Sequence, residues 1–149
     1  MRNLRESDHE KIVSVADEWW GRPMTHNLPR LFFRHFEDTS FVVEEDEEIA
    51  AFLIGFVSQS RLEEAYIHFA GVHPAHRGRG TAKALYDRFF DEARKRGCER
   101  VRCITSSVNK TSIAFHRSLG FTAETCPDYD GDGKPKVVFE KGICGTETG

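Results

Sequence analysis

Positive charge is in short supply in this chain. Its 21 Lys and Arg residues stand against 24 Asp and Glu, for a formal net charge of −3. That balance argues against nucleic acid as the main partner, since such proteins carry a clustered basic surface. Cysteine is also sparse. Cys98, Cys103, Cys126 and Cys144 form no CxxC pair and no regular spacing, so they read as free thiols of a reducing cytoplasm. No apolar run is long enough to span a bilayer, and Met1 opens no signal-peptide pattern, so no membrane partner is expected. No internal repeat or long linker interrupts the chain. The common nucleotide loops are missing too: there is no Gly-x-x-x-x-Gly-Lys-Ser/Thr and no Gly-x-Gly-x-x-Gly.

What is there is a 149-residue sequence with 12 phenylalanines and two tryptophans. That length suits one domain with a substantial core. Met1 to Arg5 suits a short strand. Ser7-Asp8-His9-Glu10 then fits a capping box with Ser7 as N-cap. The helix that follows carries Ile12, Val13, Ala16, Trp19 and Trp20 on one face and stops near Gly21-Arg22-Pro23. Pro29 suits the first turn of a second helix with Leu28, Leu31, Phe32 and Phe36 on its apolar side. Ser40–Glu44 and Ile49–Val57 pattern as a hairpin around the acidic turn Glu45–Glu48. The unbroken run from Ala50 to Val57 predicts a central strand covered on both faces. Ala65–Val72 is the next strand.

The chain is organised around His76-Arg77-Gly78-Arg79-Gly80-Thr81-Ala82. A strand precedes this stretch. After it the period becomes helical, with Ala82, Leu85, Tyr86, Phe89 and Ala93 on one face, and Gly97 suits the C-cap. Two glycines in such a turn let several N–H groups converge. The first helical turn adds unpartnered N–H groups and a positive dipole end. Together they suit a phosphate or pyrophosphate, and Arg77 and Arg79 add permanent charge. Arg100–Thr105 reads as a further strand, Asn109–Leu119 as a helix, Phe121 as the opening of the next strand, and Lys136–Glu140 as the last strand, pairing back on it. Gly142–Gly149 reads as a frayed tail beyond a 1–141 domain.

No metal site is expected. Asp128–Gly133 begins like a calcium loop, but the twelfth position is Phe139 and not the bidentate Glu. His68, His73 and His76 lack zinc-ligand spacing.

Two motifs carry a family resemblance. Val72-x-Pro74 followed by Arg77-x-x-Gly80-x-Ala82 resembles the acyl-coenzyme-A pyrophosphate loop of the GNAT superfamily of N-acyltransferases. Downstream, Asn109-x-x-Ser112-Ile113-x-Phe115-His116-x-x-Leu119-Gly120-Phe121 is similar to that family's second motif. The resemblance spans about residues 1 to 141. It implies a mixed, mostly antiparallel α/β sheet with one splayed parallel strand pair and helices on both faces. It implies acetyl transfer from acetyl-CoA, as cosubstrate, to a primary amine of a small molecule or a protein. A coenzyme-binding sensor or interaction module without turnover is the alternative.

The resemblance also implies site residues. Gly78, Arg79, Gly80, Thr81, Ala82 and Lys83, with Arg77, would hold the diphosphate. Ala70, Gly71 and Val72 would pair with the pantetheine arm, and the Val72 N–H would polarise the thioester carbonyl. Asn109, Ser112, Phe115 and His116 would flank the cofactor. The first two helices would shape the acceptor pocket, so Trp19, Trp20 and Arg22 are substrate-binding candidates. Adjacent tryptophans point about 100° apart on a helix, so one can line a pocket while the other packs.

The sequence departs from the family pattern at two places. The tyrosine that often protonates the departing sulfur is replaced by His116, which the one-face spacing of Asn109, Ser112 and His116 leaves as acid, sulfur hydrogen-bond donor, or packing residue. A glutamate that serves some members as base is replaced by Ile104. His68 shares a strand face with Ala70 and Val72, which makes it the leading base, directly or through water, or else a satisfied strand histidine. The acceptor amine is not identified, and exposed aromatics would permit a homodimer.

Overall fold

The computed structural model describes residues 1–21 and 23–143. Its seven strands are β1 (Arg2–Asn3), β2 (Phe41–Glu45), β3 (Glu48–Val57), β4 (Glu64–Val72), β5 (Arg100–Ser106), β6 (Thr122–Cys126) and β7 (Lys136–Gly142). Four α-helices accompany them: α1 (Asp8–Trp20), α2 (Arg30–His35), α3 (Thr81–Lys95) and α4 (Lys110–Ser118). The strands form one mixed sheet in the order β1-β2-β3-β4-β5-β7-β6. β4 and β5 are its parallel pair, so the α/β class and mixed sheet expected from the sequence are found. The chain packs as two compact units, Met1–Phe56 with Ile67–Glu92, and Val57–Tyr66 with the residues from Ala93 on.

In the first unit, β3 is buried on both faces from Ala50 to Ile54, as its unbroken apolar run predicts. The β2–β3 turn places Asp46 and Glu47 at φ 53° and 68°. That is the twist a two-residue hairpin requires, carried here by acidic residues in place of glycine. Leu4, Ile12, Ala16, Trp19, Leu28, Phe33, Val42, Phe52 and Ile54 form the core.

Two local expectations are corrected here. Ser7 has helical backbone angles and its side chain caps nothing. The buried Asp8 is turned inward instead, accepting from Arg2 at 2.8 and 2.9 Å and from the Arg5 N–H at 2.8 Å. A carboxylate already at a helix start gains more from a guanidinium fork than a serine gains from one N–H. The second helix is only six residues long, with Pro29 as its N-cap. Phe33 is its buried residue, while Leu31 is 54% exposed, because the short helix turns a different face inward than the apolar count suggested.

In the second unit, β4 pairs with β5 in parallel at Glu64–Tyr66 opposite Arg100–Arg102. β5 pairs antiparallel with β7 along Arg100–Ser106, and β7 with β6 along Thr122–Cys126. Val101, Phe121 and Phe139 are buried here. The last strand outruns its expected end. Gly142 pairs with Arg100, and Ile143 is buried with its N–H donating to Glu99 O. The expected tail therefore loses its first two residues to the fold, and residues 144–149 lie outside the described residues. No described helix is long and apolar enough to cross a membrane.

Candidate active site

The turn between β4 and α3 is built as the glycine spacing predicts. Gly78 and Gly80 sit at φ 79° and 78°, a left-handed conformation that costs a residue with a Cβ about 1–2 kcal/mol. A short 3-10 turn, Pro74–His76, leads in, capped by His73 Nδ1 accepting from the Ala75 N–H at 2.9 Å. The backbone ladder of α3 opens with the Ala84 N–H donating to Gly80 O at 3.0 Å. Among the described residues, the N–H groups of Thr81, Ala82 and Lys83 therefore have no backbone acceptor. Three such amides at the positive end of a 15-residue helix suit a diphosphate.

The two loop arginines differ in their engagements. Arg77 donates from Nη2 to Trp19 O at 2.8 Å and from Nε to Val72 O at 3.2 Å. Arg79 Nη1 lies 3.1 Å from His76 Nδ1, which is itself 2.9 Å from Glu45 Oε2. A ring nitrogen donating to that carboxylate cannot also accept from arginine, so the Arg79 fork keeps its donors for an incoming anion.

Gly71 is a close approach. A methyl group there would overlap the Trp20 ring and come within 3.0 Å of Phe52. Trp20 is half-buried and lies 4.9 Å from the Phe69 ring. Trp19 is a different case. At 5% exposure, packed against Phe52 and the His73 ring, it is a core residue, which corrects its expected role in substrate binding. The 100° step between neighbours explains why only one of the pair reaches the surface. Arg22 lies outside the described residues.

His68 is held on three sides. Its Nε2 is 2.7 Å from Asn27 O, and its ring stacks on Phe32 at 4.2 Å with 18° between planes, beside Phe69. A carbonyl only accepts, so Nε2 carries the proton and Nδ1 is the basic nitrogen of the neutral ring. Nothing in the sequence points to Asn27, because its part is played by a backbone oxygen.

In the second unit, Asn109 starts α4 as expected and also caps it, its Oδ1 accepting from the Ser112 N–H at 3.1 Å. His116 is buried. It stacks on Phe139 at 4.2 Å, and Phe115 and Phe121 meet it edge-on. Its Nδ1 lies 2.7 Å from Ser112 O and 3.3 Å from Ser112 Oγ. The carbonyl again fixes the tautomer: Nδ1 donates, and Nε2 of the neutral ring has no proton to give. Burial lowers the His116 pKa, against the smaller raising effect of the Ser112 carbonyl. The imidazolium that could protonate a sulfur is thus disfavoured. The sequence expectation of an acid or sulfur donor does not fit this geometry.

A cavity of about 490 Å³ opens beside α4 and β6, lined by Ser107, Lys110, Ile113, Arg117 and Thr125 among others. None of the sequence candidates lines it. Cys98, Cys103 and Cys126 are free thiols, and burial pushes the Cys98 and Cys103 pKa values up, which makes these two poor nucleophiles. Among the described residues no three His, Cys, Asp or Glu side chains are grouped to hold a metal ion.

A mixed sheet with a glycine turn that presents backbone amides between a strand and a long helix defines an α/β protein of this topology. The chain belongs to the acetyltransferase (GNAT) family, which matches residues 2–121, and is thereby an acyltransferase. It is 27% identical to an acetyltransferase of Pectobacterium atrosepticum over 85% of this chain and 89% of that protein. It is 46% identical over 55 residues to an L-methionine sulfoximine/L-methionine sulfone acetyltransferase of Salmonella typhimurium. That match covers 37% of this chain and spans about a third (32%) of the relative's length. A Salmonella typhimurium structure described as a putative acetyltransferase with its cofactor acetyl-CoA superposes with a TM-score of 0.74 at 21% identity, over 99% and 95% of the two chains.

Proposed function

We propose that this protein transfers the acetyl group of acetyl-CoA to a primary amine of a small molecule or a protein. The observation that carries this reading is the unpartnered amide turn from Gly80 to Lys83 on a chain of the acetyltransferase family. The 3′-phospho-ADP end of the cofactor docks its diphosphate there, with Arg79 adding charge. The pantetheine arm runs along Ala70–Val72. The Val72 N–H stabilises the oxyanion. His68 Nδ1 takes a proton from the ammonium form, and the neutral amine then attacks the thioester carbonyl. The C–S bond breaks, the extra proton on the attacking nitrogen passes to solvent, and coenzyme A leaves as a thiolate. With a thiol pKa of about 8.5, that group needs no acid, which agrees with a His116 that has no proton to offer. His116 instead holds α4 against Phe139.

The half-buried Trp20 and the α1–α2 connector supply the acceptor side. The relative acting on methionine sulfoximine makes amino-acid-like amines the first acceptors to try. Buried free thiols support a reducing cytoplasm as the place of work.

The alternative is a module that binds the coenzyme without turning it over. A panel of amino acids, L-methionine sulfoximine, polyamines and peptides, assayed for coenzyme A thiol release, separates the two. Release with any amine supports the enzyme. Acetyl-CoA binding without release from the whole panel supports the module.

A further inference from the structure

We infer that Arg77 is a positioning residue that couples cofactor binding to the acceptor side, rather than a ligand of the diphosphate. The inference rests on the proposed function for the identity of the cofactor, and on geometry for the coupling. Arg77 stands at the mouth of the glycine turn, one residue before Gly78. Its guanidinium reaches back to two main-chain carbonyls: Val72 O at the end of β4, at 3.2 Å, and Trp19 O in the last turn of α1, at 2.8 Å. Trp19 O belongs to the carbonyl end of the helix, where a cation is favoured by the dipole. No basic side chain from α1 itself serves that end.

The helix end is clamped at a second point as well. Trp20 lies over Gly71 so closely that no Cβ fits between. The α1–α2 connector starts directly after this clamp, with Gly21 in the left-handed conformation. Further on, the connector is tied by Asp17 Oδ1, which accepts from the Met24 and Thr25 N–H groups at 2.7 and 3.2 Å. It is tied again by His68 Nε2 donating to Asn27 O. One path of bonds therefore runs from the phosphate turn through Arg77 to the end of α1, and on to the segment that holds the base.

A diphosphate on the amides of Gly80–Lys83 orders the turn that carries Arg77. Ordering the turn fixes the guanidinium and so stiffens the capped helix end and the connector beyond it. By linkage the effect is reciprocal: an acceptor that orders the connector tightens coenzyme binding by the same factor. A lysine at this place presents a single ammonium in place of the planar fork whose Nε and Nη2 meet the two carbonyls.

Hydrogen exchange of the segment Pro23–Leu28, with and without free coenzyme A, tests this on the full chain. In the wild type, coenzyme A is expected to slow exchange there by about fivefold or more. In Arg77→Ala, coenzyme A still binds within about threefold by calorimetry, because the amides do the holding, but the slowing is lost. Arg77→Lys gives an intermediate slowing and serves if the alanine variant does not fold. The inference is overturned if either variant slows as the wild type does, or if the wild type binds coenzyme A with no slowing. If the wild type binds no coenzyme A, the proposed function fails instead. The clamp is then judged without ligand: faster exchange at Trp19–Gly21 in Arg77→Ala supports it, and equal exchange overturns it.

Discussion

His68 donates its Nε2 proton to the carbonyl oxygen of Asn27, 2.7 Å away and 41 residues earlier in the chain. The bond persists in both protonation states, since Nε2 keeps its proton in each. It orients the ring as a buried carboxylate orients the base of a catalytic triad, and the Phe32 stack keeps the ring from turning. His68→Gln retains a side-chain N–H for Asn27 but has no basic nitrogen. It is expected to lower kcat/KM by about 100-fold and to flatten the rising limb of the pH–rate profile. An unchanged limb removes His68 as the base.

His116 is expected to matter for the fold and not for the leaving group. His116→Phe keeps the ring on Phe139 and should leave kcat within about threefold, whereas loss of the acid of the rate-limiting step would cost far more. The pH dependence follows from the lowered pKa. The unfolded chain takes up the His116 proton near its ordinary value of about 6.5, before the folded chain does. Its contribution to stability is therefore full above about pH 6.5 and erodes as pH falls below it. Thermal melts at about pH 7.5 and 5.5 should show a smaller drop in Tm for His116→Phe than for the wild type. An equal drop contradicts the buried neutral ring.

Gly71→Ala tests the approach of Trp20 to β4. The added methyl must displace the indole or the Phe52 ring, an overpacking that costs about 1–3 kcal/mol. Trp20→Ala opens space above the strand, so the double variant should lose less stability than the two single losses summed. Strict additivity in urea melts would mean that the two do not touch.

The Arg2–Asp8 pair anchors the first strand to α1. Asp8 is 2% exposed and receives two bonds from the guanidinium. Burial alone would raise its pKa, but the Arg2 fork and the Arg5 N–H outweigh burial and hold it below the usual carboxylate value. Asp8→Asn should cost about 3 kcal/mol, the low end for breaking a buried pair, because Arg2 keeps some solvent. The wild type holds this contribution above about pH 4 and loses it as pH falls further, as the carboxyl gains its proton. A loss under about 0.5 kcal/mol by denaturant titration would show that the pair adds nothing.

Much of this fold was legible because its signals are local. The apolar run of β3, the helical period of α3 and the paired glycines of the turn each depend on residues a few positions apart. What the sequence hid depends on long separations or on rotamers. The capping motif at Ser7 looked complete, yet Asp8 was drawn to Arg2 six residues away. Arg77 read as cofactor charge because its partner Trp19 O is 58 residues distant and is a backbone atom. At position 116 the residue type was informative, but its donor capacity was settled by one contact to Ser112 O. Adjacent tryptophans cannot both face inward, but which of the two joins the core was decided by the Phe52 and His73 rings against Trp19.

Calorimetry with coenzyme A and with pantetheine, which has the same thiol arm but no phosphates, tests the central claim most directly. If the amides of Gly80–Lys83 hold a diphosphate, coenzyme A should bind about 100-fold or more tightly than pantetheine, roughly 2.8 kcal/mol. Equal affinities, or no uptake of coenzyme A at all, would contradict it.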